Sequence, residues 1–317
     1  MPMHQNETAL YTLTQVDAYL SRIAFPDALP TTTLGDKISP IIAQTADSLT
    51  YLTNLQKYHL ASIPFENTSL HYAKFPSISL DKEDLFEKLV NRHRGGYCME
   101  HNILFALILK TLGFEVVQSG ARGYNSSGDS EFDGWNHQAN FVIIDTAIYL
   151  VDVGFGSRGP TRPLALIDGA ISKWGATQAE VRLTYHQNEN PLVQETWIYS
   201  HRTSKSAEWE KQYSFVVTEF FQKDFEMIAY AISARRDDFL NYQLICVKML
   251  LDEELHDIVG VVVLFEKTLK RRVQGETEVL KECESEEERV EILESYFGVV
   301  LKEKERMGIK STVAAIK

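Results

Sequence analysis

Hydrophobic positions in the first hundred residues recur at helical spacing. Over residues 10–23 (LYTLTQVDAYLSRI), Val16, Tyr19, Leu20 and Ile23 fall on one stripe at i, i+3, i+4 and i+7, and Pro26 and Pro30 then close the segment. A second helix is expected over residues 48–59, aligning Leu49, Leu52, Leu55 and His59. Residues 81–91 (DKEDLFEKLVN) open on an aspartate cap with Asp84 three places on in a box-like arrangement, and bury Leu85, Leu89 and Val90. Gly95 and Gly96 break the pattern. The clearest helix follows over residues 98–112, with Gly113 as its C-cap.

From Phe114 the period changes to two. The runs GFEVVQSGARGY, HQANFVIID, AIYLVDVGF, EVRLTYHQ and TWIYSH are separated by turn residues and by the polar loop NSSGDSEFDG. Short strands at such close spacing predict an antiparallel sheet or small barrel. Beyond it come a strand-like YSFVV, a helical stretch over 223–234, strands over 244–248 and 258–267, and a late helix opened by Ser285 with Glu288 three residues on. The acidic run 284–288 reads as the solvated first turn of that helix, favoured by its dipole.

With 317 residues, 44% of them hydrophobic, the chain can bury one large core or two to three small ones, which excludes disorder as its main state. Its 32 basic residues against 44 acidic ones leave a net charge of −12, which opposes binding to nucleic acid or an anionic membrane surface. No apolar run approaches the roughly 18 residues that cross a bilayer. The opening MPMHQNETAL lacks the order of a secretory signal, so a cytoplasmic protein is expected. The three cysteines, Cys98, Cys246 and Cys283, are odd in number and form no C-x-x-C pair, so at least one is a free thiol and no metal site is indicated. Cys246 and Cys283 are read as small buried hydrophobes.

Cys98 stands apart because two glycines end and a long helix begins beside it. Backbone N–H groups and the dipole at a helix N-terminus favour thiolate over thiol and can hold a developing oxyanion. Acyl transfer also needs a base. Of the nine histidines, His137 opens a hairpin-like segment that runs to Asp152. A two-residue turn at 145–146 or 146–147 places Asp152 opposite Ala139 or Phe141, on the face of His137 in either register. A carboxylate on one imidazole nitrogen fixes the tautomer and leaves the other for a thiol. His93 and His101 flank Cys98 and rank below His137, because His101 would point away from a substrate at the helix end.

At these residues the sequence resembles the arylamine N-acetyltransferases. RGGYCMEHN resembles their cysteine motif, HQANFVIID their histidine strand and YLVDVGFGS their aspartate strand. Ile63-Pro64-Phe65-Glu66-Asn67 resembles a substrate-side segment. The four pieces stand in family order; from about Pro163 the likeness is one of general pattern. The resemblance implies an α+β fold with a thiol-protease-like Cys-His-Asp core, in three sections: a helical bundle (1–113), an antiparallel β-barrel (114–215), and an interdomain segment with an α/β lid (216–317). It implies ping-pong transfer from acetyl-CoA, or propionyl- or malonyl-CoA, to an arylamine, arylhydroxylamine or hydrazine, with Cys98, His137 and Asp152 as the catalytic triad. A thiol hydrolase or transglutaminase-like enzyme with the same triad is the alternative.

Phe65 and Phe155 are expected, by the same analogy, as walls of the acceptor pocket. Gly134 and the loop Gly154-Phe155-Gly156-Ser157 are expected to admit substrate and the CoA arm, since glycines let backbone N–H groups approach an anion. Arg235 and Arg236 are candidates for the CoA phosphates, and Arg122 and Arg158 for a malonyl carboxylate. Arg94 and Glu100 are expected to pair and buttress the Cys98 helix, and Gly95 and Gly96 to permit a tight backbone path into it.

Overall fold

The computed structural model describes residues 10–26, 48–73, 77–125, 131–187, 189–190, 192–235, 238–252, 254 and 256–316. Helix α1 (Leu13–Arg22) begins at Thr12, which exchanges hydrogen bonds with Gln15 in a capping box. Helix α2 (Ser48–Ser62) turns Leu52, Leu55 and His59 inward and leaves Leu49 at the surface. A two-residue strand β1 (Phe65–Glu66) and a short α3 (Thr68–His71) follow.

Asp81 caps α4 (Lys82–Phe86), its carboxylate accepting from the N–H groups of Glu83 and Asp84. The expected reciprocal bond from Asp84 does not form. Ser79 stands between, its hydroxyl donating to Asp84 and accepting from the Asp81 N–H. The expected single helix also widens into π-helical turns over Glu87–Asn91, which bury Leu89 and Val90 side by side.

Helix α5 (Cys98–Thr111) is buried along its length from Cys98 to Leu109. Its apolar residues lie on every side, so it forms a central rod rather than a surface helix. Against it, through β2 and β3, packs an eight-stranded antiparallel sheet that curls into a nearly closed barrel: β2 (Glu115–Gly123), β3 (His137–Ile144), β4 (Ala147–Val151), β5 (Leu164–Ala165), β6 (Ile171–Lys173), β7 (Glu180–His186), β8 (Thr196–Arg202) and β9 (Glu210–Phe215). The strands lie in the order β5-β4-β3-β2-β9-β8-β7-β6. Ile144 pairs with Ala147, so the hairpin turns at 145–146, with Asp145 at φ 55°. This is the first of the two registers expected.

The chain continues through α6 (Gln222–Ala234) and α7 (Phe239–Tyr242) into β10 (Ile245–Asp252), β11 (Asp257–Phe265), β12 (Thr268–Val273) and β13 (Glu276–Glu282), then α8 (Glu286–Phe297) and α9 (Glu303–Arg306). The hairpin of β12 and β13 was not anticipated: its charged residues pair across strands, as Arg271 does with Glu278, instead of forming an apolar stripe. These four strands make an antiparallel sheet whose edge is β1, in the order β1-β10-β11-β12-β13. A strand from the helical section thus completes the C-terminal sheet. The hydrophobic core is likewise shared, running from Leu52 and Leu104 through Phe141 to Val247 and Val261. A smaller cluster under α8 gathers Leu264, Leu269, Leu293 and Phe297. No described helix is long and apolar enough to cross a membrane.

Candidate active site

Cys98 is the first residue of α5 and is 6% exposed. Its path into the helix is narrow. The Glu66 N–H donates to the Gly96 carbonyl at 2.7 Å, and Phe65 bridges to Gly96. A Cβ at Gly95 would lie 1.9 Å from the Pro64 carbonyl oxygen, and one at Gly96 2.7 Å from the Glu100 carboxylate. Both positions therefore require glycine for close approach.

His137 and Asp152, both buried, meet across the β3–β4 hairpin with Nε2 2.8 Å from Oδ2. Nδ1 is the nitrogen left for the thiol, and Cys98 Sγ lies 3.7 Å from the carbonyl of Asn136, the residue before His137. Asn102, one turn along α5 from Cys98, fastens helix to strands. Its amide nitrogen donates to the Gln138 carbonyl at 2.8 Å and to Asp152 Oδ1 at 2.9 Å, while its oxygen accepts from the Val153 N–H at 3.1 Å. Burial alone would raise the Asp152 carboxyl; His137, Asn102 and the Gly154 N–H outweigh it and hold the group below its usual value. The imidazole therefore faces an ionised carboxylate.

The thiol behaves differently from expectation. Burial pushes it far up and the charge of Asp152 adds to that, with the Met99 N–H acting in the opposite sense. Helix placement by itself does not ionise Cys98. A thiolate here needs a cation beside it.

Arg94 does not pair with Glu100. It pairs with Glu66 at 3.3 Å and also bonds the Thr68 hydroxyl, whereas Glu100 pairs with Lys88 at 2.6 Å and accepts from the Tyr97 N–H at 3.0 Å. The reason is β1, which brings Glu66 alongside the glycine pair. Although burial opposes ionisation, Arg94, Lys88 and Thr68 hold Glu66 at about 2. The opposing outcome holds at Glu100, where burial wins over Lys88 and raises the group.

Phe155 and Phe65 are both half-buried beside the site. Phe155 meets the His137 ring at 5.0 Å and Tyr213 at 4.8 Å, and Phe65 stacks on His101 at 6.5 Å. Gly156, at φ 74°, lies against the Phe65 ring. Gly154 has a structural reason to be glycine: a Cβ would stand 2.6 Å from the Cys98 carbonyl. Its N–H is bonded to Asp152 at 2.8 Å and is not offered to an anion. At Gly134 a Cβ would meet nothing within 4 Å, so no close approach demands glycine there. The Ser157 carbonyl accepts from Arg272 at 3.4 Å. Arg158 pairs with Glu210, and Arg122 lies 3.9 Å over the Trp135 ring. Arg235 is an exposed C-cap of α6, and Arg236 lies outside the described residues.

His101 does point away from the helix end. Its Nε2 bonds the Pro64 carbonyl at 3.0 Å and its Nδ1 meets His59 Nε2 at 2.8 Å; His59 Nδ1 in turn meets the Tyr19 hydroxyl at 2.9 Å. Burial lowers both imidazoles, His101 to about 4, so the chain is neutral. His93 is exposed. Residues missed from sequence are Asn102, Glu66, Lys88 and Tyr213. Only Asn102 carried a signal, lying four residues after Cys98 on the same helix face.

Fold and site together define a class: a helix-borne cysteine set against a histidine–aspartate pair on a barrel hairpin. Residues 48–306 match the family described as N-acetyltransferase, and the chain belongs to the arylamine N-acetyltransferase family. It is 33% identical to N-malonyltransferase FDB2 of Fusarium pseudograminearum, over 94% of this chain and 92% of that protein. Among solved structures it is similar to the arylamine N-acetyltransferase of Salmonella typhimurium, with a TM-score of 0.76 and 24% identity over 94% of this chain and 98% of that one. The Mycobacterium marinum arylamine N-acetyltransferase in complex with CoA gives a TM-score of 0.74 at 24% identity, covering 94% and 99%.

Proposed function

We propose that this protein moves a short acyl group from an acyl-CoA to an aromatic amine, hydroxylamine or hydrazine through a thioester on Cys98, with malonyl preferred over acetyl. The observation that carries the chemistry is the His137–Asp152 contact at 2.8 Å beside a cysteine that opens a helix. The malonyl preference draws support from the near full-length similarity to an N-malonyltransferase, and the CoA donor from the fold shared with a CoA-bound relative.

Cys98 gives its proton to His137 as sulfur attacks the thioester carbonyl. The C–S bond to CoA then breaks, and the imidazolium returns the proton to the leaving thiolate. In the second half the amine nitrogen attacks the Cys98 thioester and loses a proton to His137, and sulfur departs as the thiol. Asp152 stabilises the imidazolium in both halves. Aromatic amines suit the second half because their nitrogen is already neutral at pH 7. Phe65 and Phe155 form the acceptor walls. Gly156, Ser157 and Arg235 are assigned to the donor side.

Single-turnover acylation followed by intact mass tests this reading. Wild type should gain one malonyl mass faster than one acetyl or propionyl mass, Cys98→Ala should gain none, and His137→Ala should be greatly slowed. Faster acetylation would overturn the malonyl preference. Label on Cys246 or Cys283 would overturn the site. Hydrolysis without N-acylation, in the presence of an arylamine, would favour a thiol hydrolase.

A further inference from the structure

Away from Cys98, an unusual polar arrangement lies at the seam between the barrel and the C-terminal sheet. His201 on β8 is 2% exposed, and neither ring nitrogen has a hydrogen-bond partner. Buried imidazoles ordinarily satisfy at least one nitrogen, as His59 and His101 do here. With Trp174, Thr177, Thr203, Arg272 and Gln274, His201 lines a cavity of about 50 Å³. The lining is more apolar than polar, with His201 and Arg272 among its polar side chains, and the space is large enough for a small guest.

Charge at this seam is unbalanced. Arg272 on β12 donates to the Ser157 carbonyl at 3.4 Å, and no carboxylate pairs with it among the described residues. Arg158 is close enough to act electrostatically on both Arg272 and His201, and its own partner is Glu210. Two guanidinium groups and an imidazole therefore share one carboxylate.

We propose that this cavity binds a small anion, held by Arg272 and His201. The shared chemistry is a halide- or phosphate-like negative group, whose source is either a free inorganic ion or a phosphate of the acyl donor. Burial and the two arginines hold His201 down at about 4; negative charge beside the ring acts in the opposite sense, so binding draws a proton onto it. The walls of the cavity also hold the loop behind Phe155. Arg272 bonds the Ser157 carbonyl at 3.4 Å and Trp174 the Gly159 carbonyl at 2.8 Å. An occupied site would stiffen that loop.

Thermal unfolding of the full chain at constant ionic strength, with sodium gluconate replaced stepwise by inorganic phosphate, bromide or 3′,5′-ADP, tests the site. A rise in Tm is expected in wild type and in Arg271→Gln, whose exposed side chain pairs with Glu278. The rise should be reduced in Arg272→Lys and lost in Arg272→Gln. A response to phosphate or bromide identifies a free ion, and a response to 3′,5′-ADP alone identifies the donor. Equal responses in wild type and Arg272→Gln, or none from any anion, would overturn the proposal. Should Arg272→Gln fail to fold, the ¹⁵N shifts of the His201 ring in wild type decide: movement towards imidazolium on titration supports the site, and unmoved shifts sink it. Bromide soaked into crystals and found solely on exposed lysines would mean an adventitious ion only.

Discussion

Asn102 donates to Asp152 at 2.9 Å from a position one helical turn beyond Cys98, so a single amide ties the Cys98 helix to the carboxylate that holds His137. Removing it frees a buried acceptor, which typically costs about 1–3 kcal/mol. Asn102→Ala should slow acylation of Cys98 by roughly 10- to 100-fold. Asn102→Asp should be worse, because a second carboxylate would face Asp152. Single-turnover rates across pH check this; a wild-type rate and profile in Asn102→Ala would mean that His137 and Asp152 hold themselves in place.

Gly154 and Gly134 separate a close approach from an open turn. A methyl group at 154 would press on the Cys98 carbonyl, whereas one at 134 meets nothing within 4 Å. Gly154→Ala should displace the start of α5 and cost activity out of proportion to any loss of Tm. Gly134→Ala should leave kcat/KM and Tm within error of wild type. Parallel kinetics and calorimetry on the two variants distinguish the positions.

The partner of Arg94 is open to a double-mutant cycle. Breaking a buried ion pair from one side leaves an uncompensated charge and costs about 3–5 kcal/mol. Urea unfolding should show Arg94→Ala and Glu66→Ala each strongly destabilising and far from additive, while Arg94→Ala with Glu100→Ala should add almost independently. Strong coupling between Arg94 and Glu100 would restore the pairing expected from sequence.

Stability should fall in acid for a reason unrelated to the thiol. The folded value of His101, about 4, lies below its ordinary 6.5, so the unfolded chain takes up a proton first. Its contribution is complete above pH 6.5 and erodes as pH drops towards 4, by up to about 3 kcal/mol. Glu66, at about 2 against 4.5, has the same sign, and its contribution erodes as pH falls from 4.5 towards 2. Urea midpoints measured between pH 7.5 and 5 should decline in wild type and less steeply in His101→Gln, where His59 and His201, also depressed by burial, keep the rest of the slope. An unchanged slope in that variant would assign the sensitivity to another group.

The longer helices and barrel strands were legible because their apolar positions keep a fixed period, and the His137–Asp152 contact because both residues sit in short contiguous motifs on one hairpin. Even the hairpin register was confined to two choices, of which the 145–146 turn is the one formed. Contacts made by distant segments were not legible. Glu66 reaches Arg94 because β1 bridges to Gly96, and no local pattern in either stretch announces that bridge. The thiol was misjudged for a related reason: helix position favours thiolate, but the burial that opposes it comes from distant segments packed on α5. The β12–β13 hairpin was hidden by its own charge, since cross-strand ion pairs replace the apolar alternation by which strands are recognised.

The edge strand β1 carries a consequence for how the protein is made. Phe65 pairs with Val247 on one side and bridges to Gly96 on the other. During synthesis the residues leading into Cys98 leave the ribosome long before β10 exists, so the nascent chain carries Glu66 for 180 residues before its strand partner Cys246 is made. Maturation of the approach to Cys98 must wait for the last quarter of the polypeptide, and a translation product halted before Ile245 would be a folded-looking barrel with an unfinished entrance.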